Sequence, residues 1–287
     1  MHKRKPMYLI LRIIFIPAVL ICLIPAAWGQ IISEDFLNFF HFREIGPTRQ
    51  GGRVVAFAVV KQDPRIFYVG AGPGGVWKTE NNGHSFTPLF EQENISSIGD
   101  IEAAPSNPDI VWIGTGEANL RNSTYYGNGM YKSTNRGAAW THMGLEESHH
   151  IGRVVIHPEN PGIVYAAAQG HLYSENPERG VYKTVDGGLS WTKSLDIVID
   201  GRQIGATDLI MDPQNPDVLY ASAYDRRRWP WSFRTAGPGS GIYKTEDGGE
   251  TWRKLSRGLP GGMLGKIGLA VYPKNPDILY GVVDNAN

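Results

Sequence analysis

The sequence predicts an all-β chain assembled from repeated antiparallel units. Three observations carry that expectation. A turn-and-strand element recurs five times, a hairpin-turn element recurs four times, and the composition favours turns, with 35 Gly and 19 Pro in 287 residues and no collagen period. Hydrophobic residues make up 41% and charged residues 20%, which supplies a core and argues against wholesale disorder.

Taken from the N-terminus, residues 1–29 read as an export signal. Lys3, Arg4, Lys5 and Arg12 form a basic leader and Ile13 to Ile24 an apolar stretch broken by Pro17. Ala27-Trp28-Gly29 supplies the small residues a signal peptidase reads, which places cleavage after Gly29. The apolar stretch is short of the ~20 residues of a comfortable membrane span, so no stable span is expected once it is removed. Ile21 stands where a lipoprotein signal needs a small residue before Cys22. The mature chain, with 30–51 as a lead-in, is therefore expected to be exported: periplasmic, secreted or at the cell surface. It keeps 24 cations and 28 anions, a net charge of −4, so a nucleic-acid partner is not expected. It keeps no cysteine, which excludes disulfides, zinc ribbons, iron–sulfur ligation and a thiol nucleophile.

The first repeated element reads Asp63-Pro64-Arg65-Ile66-Phe67-Tyr68-Val69-Gly70. It returns at Asn107 to Gly114, Asn160 to Ala166, Asn215 to Tyr220 and Asn275 to Tyr280, with its Tyr or Trp spaced 44, 53, 55 and 60 residues apart. Each copy is an Asn/Asp-Pro turn feeding a β-branched and aromatic run, hence a strand. The second element reads Thr79-Glu80-Asn81-Asn82-Gly83-His84-Ser85-Phe86 and returns at Ser133 to Trp140, Thr184 to Trp191 and Thr245 to Trp252. Asp-Gly or Asn-x-Gly between strand runs is a hairpin signal because the turn needs positive φ. Its Ser/Thr and Asp side chains can bond the turn's backbone, and its Trp is expected to pack beneath the turn.

This second element resembles the Asp-box, or BNR repeat, of sialidases, xyloglucanases and the sortilin family. The match is strong at Asp186 and Asp247, with Asn81 and Asn135 replacing Asp in the first two copies. The resemblance implies that each element is the outer hairpin of a four-stranded antiparallel blade in a β-propeller. Gly70 to Trp77, Ile113 to Asn122 and Pro238 to Tyr243 further resemble exported bacterial proteins with a sortilin-like N-terminal region, commonly labelled glycosyl hydrolases. Blades are expected at 52–96, 97–150, 151–203 and 204–265, with a partial fifth at 266–287. A ring cannot close on a half-made blade, so the chain is expected to be part of a longer protein.

Blade geometry then sorts the candidate residues. With strands lettered A (innermost) to D, the B–C and D–A connections share one face and the Asp-box turns lie on the other. Asn81, Asn135, Asp186 and Asp247 are accordingly expected to be structural turn locks. The B–C connections carry the candidate ligand-binding residues, because long loops on a rigid scaffold concentrate them. They are Asn119, Arg121, Asn122 and Tyr125 in blade 2, His171 in blade 3, and Arg226, Arg227, Arg228, Trp229, Trp231 and Arg234 in blade 4. Arg and Trp together suit sugar stacking and binding hot spots, and they equally suit a domain interface.

Counting five residues back from the Pro that ends each A strand gives Asp100, Arg153, Asp208 and Gly268. The match of Gly52-Arg53-Val54-Val55 to Gly152-Arg153-Val154-Val155 adds Arg53 to this channel ring. Inter-blade ion pairs are the preferred reading, since buried charges need partners, and a polar ring for an anionic or hydroxylated ligand is the other.

Chemical motifs are sparse. His149-His150 lacks further ligands at metal spacing, so no metal and no cofactor is expected. Gly72-Pro73-Gly74-Gly75 opens no helix and is not a phosphate loop, and no Gly-x-Ser-x-Gly precedes a helix. Glycoside hydrolysis needs two carboxylates around the scissile bond. The xyloglucanase resemblance puts one of them, an Asp, at the position held here by Gly72. The early sialidase motif is only echoed, with extra spacing, by Phe42-Arg43-Glu44-Ile45-Gly46-Pro47. Glu117 is the remaining catalytic candidate. Two functions stay open: a module binding a peptide, protein or polysaccharide through its loops, or a glycosidase completed by sequence elsewhere.

Overall fold

The computed structural model describes residues 52–119 and 124–285. The export signal and lead-in, like Arg121 and Asn122, lie outside the described residues. Four sheets follow one another, each a four-stranded antiparallel meander. Blade 1 holds β1 (Val54–Val59), β2 (Phe67–Ala71), β3 (Gly75–Thr79) and β4 (Thr87–Pro88). Blade 2 holds β5 (Ile98–Ala103), β6 (Val111–Thr115), β7 (Met130–Ser133) and β8 (Thr141–His142), and a 3-10 turn, Glu146–Ser148, leads out of it. Blade 3 holds β9 (Ile151–Ile156), β10 (Val164–Ala168), β11 (Gly180–Thr184) and β12 (Thr192–Leu195), followed by a small hairpin, β13 (Val198–Ile199) and β14 (Arg202–Gln203). In blade 4, β15 (Gly205–Met211) and β16 (Leu219–Tyr224) are separated from β19 (Gly241–Thr245) and β20 (Arg253–Lys254) by the hairpin β17 (Arg227–Trp229) and β18 (Ser232–Arg234). A fifth, two-stranded sheet pairs β21 (Leu264–Val271) with β22 (Leu279–Asn285). This is the β-propeller architecture. Among the described residues no helix is long and apolar enough to cross a membrane.

Blades 2 and 3 bury both faces, which explains why their second strands read as continuous apolar runs rather than alternating ones. Every residue of β6 and β10 is buried. Val111 and Ile113 point into a cluster shared with blade 1, while Trp112 between them packs with blade 3. Val164, Ala166 and Ala168 likewise face blade 2, and Tyr165 and Ala167 face blade 4. The period-2 alternation survives, but it chooses between two neighbours instead of between core and water. At the outer faces β1 exposes Val54, Phe57 and Val59, and β22 exposes Tyr280 and Val282.

A bulge interrupts the first strand of every sheet near its start. In blades 2 and 3 the extra residue is glycine for a steric reason. A Cβ on Gly99 would sit 2.0 Å from the Ile151 carbonyl oxygen, and one on Gly152 would sit 2.3 Å from that of Thr207. The bulged backbones thus nest blade against blade.

The Asp-box turns close the opposite ends of the strands. In blade 3, Asp186 Oδ1 accepts from Thr184 Oγ1 (2.7 Å) and Ser190 N (3.0 Å), while Oδ2 accepts from Ser190 Oγ (2.6 Å). Asp247 repeats the pattern with Thr245 and Thr251. These donors, with the turn's hydroxyl first, hold both carboxyls well below the usual carboxylate range. Asn81 and Asn135 accept the same two Oδ1 bonds, so replacing Asp by Asn preserves the turn. The aromatic residue lies against its own turn in blades 1 and 2, Phe86 beside Gly83 and Trp140 beside Gly137. The Trp also reaches across the seam, which the sequence did not show: Trp140 Nε1 donates to Leu89 O (2.8 Å), Trp191 Nε1 to Met143 O (2.7 Å) and Trp252 Nε1 to Ser194 Oγ (3.0 Å), all in the preceding blade. Tyr68 and Tyr165 answer from the other side, donating to Arg136 O and Gly248 O in the next blade's Asp-box.

Pairing register corrects the channel ring. Asp100, Arg153, Asp208 and Gly268 oppose Gly114, Ala167, Ser222 and Val282, each two residues after the repeat's Tyr or Trp. In blade 1 the residue opposite Gly70 is Ala56, so Arg53 is not in the series. The Gly-Arg-Val-Val match misled by three residues; the Asp63-Pro64 turn, aligned on Asn107-Pro108, gives Ala56 directly.

Candidate functional site

The connections between second and third strands meet to form one continuous loop surface. Gln169 Nε2 donates to Ala118 O (3.0 Å) and Gly127 N to His149 O (2.7 Å), which joins blades 2 and 3. Arg228 N donates to Leu172 O (3.3 Å) and Arg227 Nη1 lies 2.7 Å from Glu175 Oε1, which joins blades 3 and 4. Asn119 Oδ1 accepts from Lys266 Nζ (2.7 Å) on β21, so it is tied to the fifth sheet. Tyr125 is exposed and its carbonyl accepts from Glu117 N and Ser97 Oγ.

In blade 3 the loop wraps around a buried cation. Arg179 donates to His171 O (2.5 Å), Ser174 O (3.1 Å) and Asn176 Oδ1 (3.2 Å), and burial lowers its pKa. In blade 4 the buried Asp225 carboxylate accepts from Arg202 (3.0 Å) and Arg234 (3.3 Å), anchoring the base of the β17–β18 hairpin. Arg227 and Arg234 both lie over the Trp229 ring, at 5.8 and 5.9 Å. Trp229 is therefore the hairpin's own packing centre, and Arg234 and Arg227 are held in ion pairs. Arg226 lies over Tyr224 beside a small pocket lined by Gln169, His171, Leu172, Arg179 and Thr207, and burial lowers its pKa. Trp231, in the two-residue turn at the tip, is 81% exposed, and Phe233 two residues on is 59% exposed with the Arg228 guanidinium over its ring. Phe233 escaped the sequence reading, although hairpin alternation with Trp231 is its signal.

At the inner strands the charges are spent on packing. Asp100 Oδ2 accepts from Val154 N (2.7 Å) and Asp208 Oδ2 from Leu269 N (2.8 Å), each carboxylate reaching the next blade's backbone. Arg153 sits between them, 2.8 Å from Asp208 Oδ1 and 3.9 Å from Asp100 Oδ1. Burial pushes Asp100 up to about 6 despite that neighbour. Glu102, also on β5, is pushed up to about 7, by burial first and by Asp100 second. Arg53 pairs instead with Glu117: Nε donates to Oε1 (2.5 Å) and Nη2 to Oε2 (2.6 Å). Gly72 lies beside this pair, its hypothetical Cβ 3.3 Å from Glu117 Cδ. The loop-acid position of the xyloglucanase resemblance and the remaining catalytic candidate are thus neighbours, but both oxygens of Glu117 are engaged by one guanidinium.

A histidine cluster lies where the connection out of blade 2 meets the blade 3 loop. His149 stacks on His171, ring centroids 3.6 Å apart, and on Tyr126 at 5.1 Å. Glu147 Oε2 is 3.3 Å from His171 Nε2 and 3.9 Å from His149 Nε2. Burial, then the neighbouring His171, lowers the pKa of His149. His150 is buried with its ring edge-on to His149, and desolvation takes its pKa down to about 3. The sequence pointed at the His149-His150 pair and missed that His149 meets His171, because the two lie in separate connections.

Comparison with known proteins agrees with the repeat architecture. Residues 128–263 match the family described as "Sortilin, neurotensin receptor 3". A xyloglucanase from Paenibacillus sp is 24% identical over 220 residues, which is 67% of this chain and 20% of that protein. A xyloglucanase from Hypocrea jecorina (strain QM6a) is 27% identical over 124 residues, 42% of this chain and 12% of that protein. Among solved structures, an ancestral GH74 enzyme superposes with a TM-score of 0.61 at 20% identity, covering 83% of this chain and 30% of the enzyme's. The GH74 enzyme of Niastella koreensis gives 0.58 at 19% identity, covering 79% and 33%. The chain therefore spans a fifth or less of the curated xyloglucanases it matches, and about a third of the GH74 structures.

Proposed function

We propose that this chain, an Asp-box (BNR-repeat) β-propeller, is a binding module of an exported protein and holds a polysaccharide, peptide or protein segment against its loop surface. The observation that carries the reading is the blade 4 hairpin. Its base is fixed by the buried Asp225 and by Trp229 between two guanidiniums, while its tip presents Trp231, 81% exposed, beside Phe233. A rigid stem with exposed aromatic faces is the arrangement that stacks on sugar rings or captures an apolar side chain. Arg228, over Phe233, adds a cation that hydroxyl, carbonyl or carboxylate oxygens can meet.

Glycoside hydrolysis is the second reading, favoured by the similarity to two xyloglucanases. It needs a proton donor and a second carboxylate. Gly72 provides neither, and Glu117 is shared between no other charged groups than Arg53 among the described residues. A complete protein supplying both carboxylates from other blades would reconcile the two readings, with these blades as part of the substrate cleft.

The test is a binding and turnover panel of xyloglucan oligosaccharides, other β-glucans and extended peptides. The binding reading expects saturable binding of at least one class that drops at least ~30-fold in Trp231→Ala, the size of a ~2 kcal/mol hot spot. Reducing-end release that vanishes in Glu117→Gln would overturn it in favour of catalysis at Glu117. Unchanged affinity in Trp231→Ala would remove the hairpin tip from the ligand site.

A further inference from the structure

We infer that Glu147, His149 and His171 form a binding site for one divalent transition-metal ion, Zn²⁺ by donor set, that pins the blade 3 loop to the connection leaving blade 2. Two imidazoles and a carboxylate are donors that suit zinc, whereas an all-oxygen set would suit calcium or magnesium. One ligand atom from each of the three residues lies within 4.8 Å of the others. Bonds of ~2.0–2.1 Å in a tetrahedron place ligand atoms roughly 3.3–3.4 Å apart. Glu147 Oε2 already stands 3.3 Å from His171 Nε2 and 3.9 Å from His149 Nε2. The two rings are stacked with centroids 3.6 Å apart, whereas in-plane ligation of one tetrahedral ion sets imidazole centroids roughly 5 Å apart, so closing on the ion turns the His149 ring out of the stack. Three protein ligands leave the fourth position to water, on the side where Glu147 is exposed.

Two independent features prepare the site. His171 Nδ1 is held 2.7 Å from Ser174 Oγ, which fixes the ring and turns Nε2 towards Glu147. That Nε2 is shielded from solvent, makes no hydrogen bond among the described residues and faces the Glu147 carboxylate at 3.3 Å, so its lone pair is uncommitted. The second feature is backbone strain at His149, which has φ +54°, a value that costs a non-glycine residue ~1–3 kcal/mol unless its surroundings enforce it. The surroundings do enforce it. His149 O accepts from Gly127 N at 2.7 Å, and Gly116 has no room for a Cβ, which would lie only 1.8 Å from that oxygen. The blade 2 backbone thus clamps the His149 main chain beside His171, and the His149 side-chain torsions are left to turn Nε2 onto the ion.

The experiment titrates the intact chain, stripped with chelator, with Zn²⁺ and separately with Co²⁺. The expected result is one ion per chain, a Tm that rises to saturation with Zn²⁺, and a zinc X-ray absorption shell containing two imidazole nitrogens. His171→Ala and Glu147→Gln should each weaken Zn²⁺ by at least ~100-fold, beyond the ~10–100-fold that changes behind the ligands cost. Ser174→Ala, acting through His171, should fall inside that ~10–100-fold range. His84→Ala, in an exposed turn elsewhere, should change nothing. Glu147 is exposed, so Glu147→Gln keeps the metal-free fold and separates lost ligation from lost folding. Absence of stoichiometric binding, an all-oxygen shell, or binding retained in both Glu147→Gln and His171→Ala would overturn the assignment.

Discussion

Removing Arg53 should damage the fold more than neutralising Glu117, although the two make a single bidentate pair. The reason is unequal burial: the Glu117 side chain has no exposed surface and that of Arg53 is 40% exposed. In Glu117→Gln the guanidinium can turn to water and the amide still fills the space, so the expected loss is the ~1–2 kcal/mol of a charge-assisted hydrogen-bond pair. In Arg53→Ala a carboxylate is left in a protein interior with no countercharge, which costs ~3–5 kcal/mol. Gly72 offers no side chain to compensate, and its neighbourhood is already filled by Glu117 Cδ, Glu117 Cγ and Val55 Cγ1 at 3.3 Å. The assay is urea unfolding of both variants at neutral pH, comparing midpoints at constant m. The double variant Arg53→Met with Glu117→Leu should recover most of the loss, because replacing a buried pair by apolar groups is often neutral. Equal losses for the two single variants, or a larger loss for Glu117→Gln, would refute the argument and mean that Glu117 holds more than Arg53.

Three further outcomes are expected. Trp191→Phe keeps the edge-on ring contact with Trp112 but loses the cross-seam bond to Met143 O, and should lower stability by ~0.5–1.5 kcal/mol in chemical denaturation. Glu102 binds its proton more tightly folded, at about 7, than the usual 4.5, so folding stability should fall as pH rises through that window. Glu102→Gln should therefore stabilise by ~1–3 kcal/mol at pH 8 and by almost nothing at pH 4, and a gain equal at both would contradict the assignment. Gly116→Ala places a Cβ 1.8 Å from His149 O at φ +86° and should unfold or displace the blade 2–blade 3 seam, read as lost amide-exchange protection at Gly127.

How far the sequence led depended on whether the deciding contact was local. The Asn/Asp-Pro turns and the Asp-box are local chemistry, so strand positions and the bonds of Asp186 and Asp247 were legible from spacing alone. Seam contacts were not. Trp140, Trp191 and Trp252 find their acceptors 48–58 residues away in sequence, in the preceding blade, and no local pattern names those acceptors. Arg53 shows a subtler failure. The four-residue match at Gly52 to Val55 competes with the Asp63-Pro64 anchor, and the true occupant, Ala56, carries no charge to advertise itself. The histidine cluster was hidden for the same reason as the seams, since Glu147 and His149 precede β9 while His171 follows β10.

The two ends of the strands differ in what they leave unused, and that difference orients the whole reading. At the Asp-box end the side-chain oxygens are consumed locally: three donors on Asp186, three on Asp247, and the turn amides on the same blade's first connection, as Gly187 N on Gly162 O and Gly248 N on Asp217 O. A ligand there would have to displace bonds that close the blade. At the loop end Arg179 and Asp225 are consumed in the same way, yet beside them Trp231 and Phe233 stay exposed and the Nε2 of His171 makes no hydrogen bond among the described residues. Buried charges make the loops rigid, and rigidity lowers the entropy lost when exposed aromatic or imidazole groups take a partner. Arg179 and Asp225 are therefore supports of the surface, and under the binding proposal its contacts are the aromatic and imidazole groups beside them.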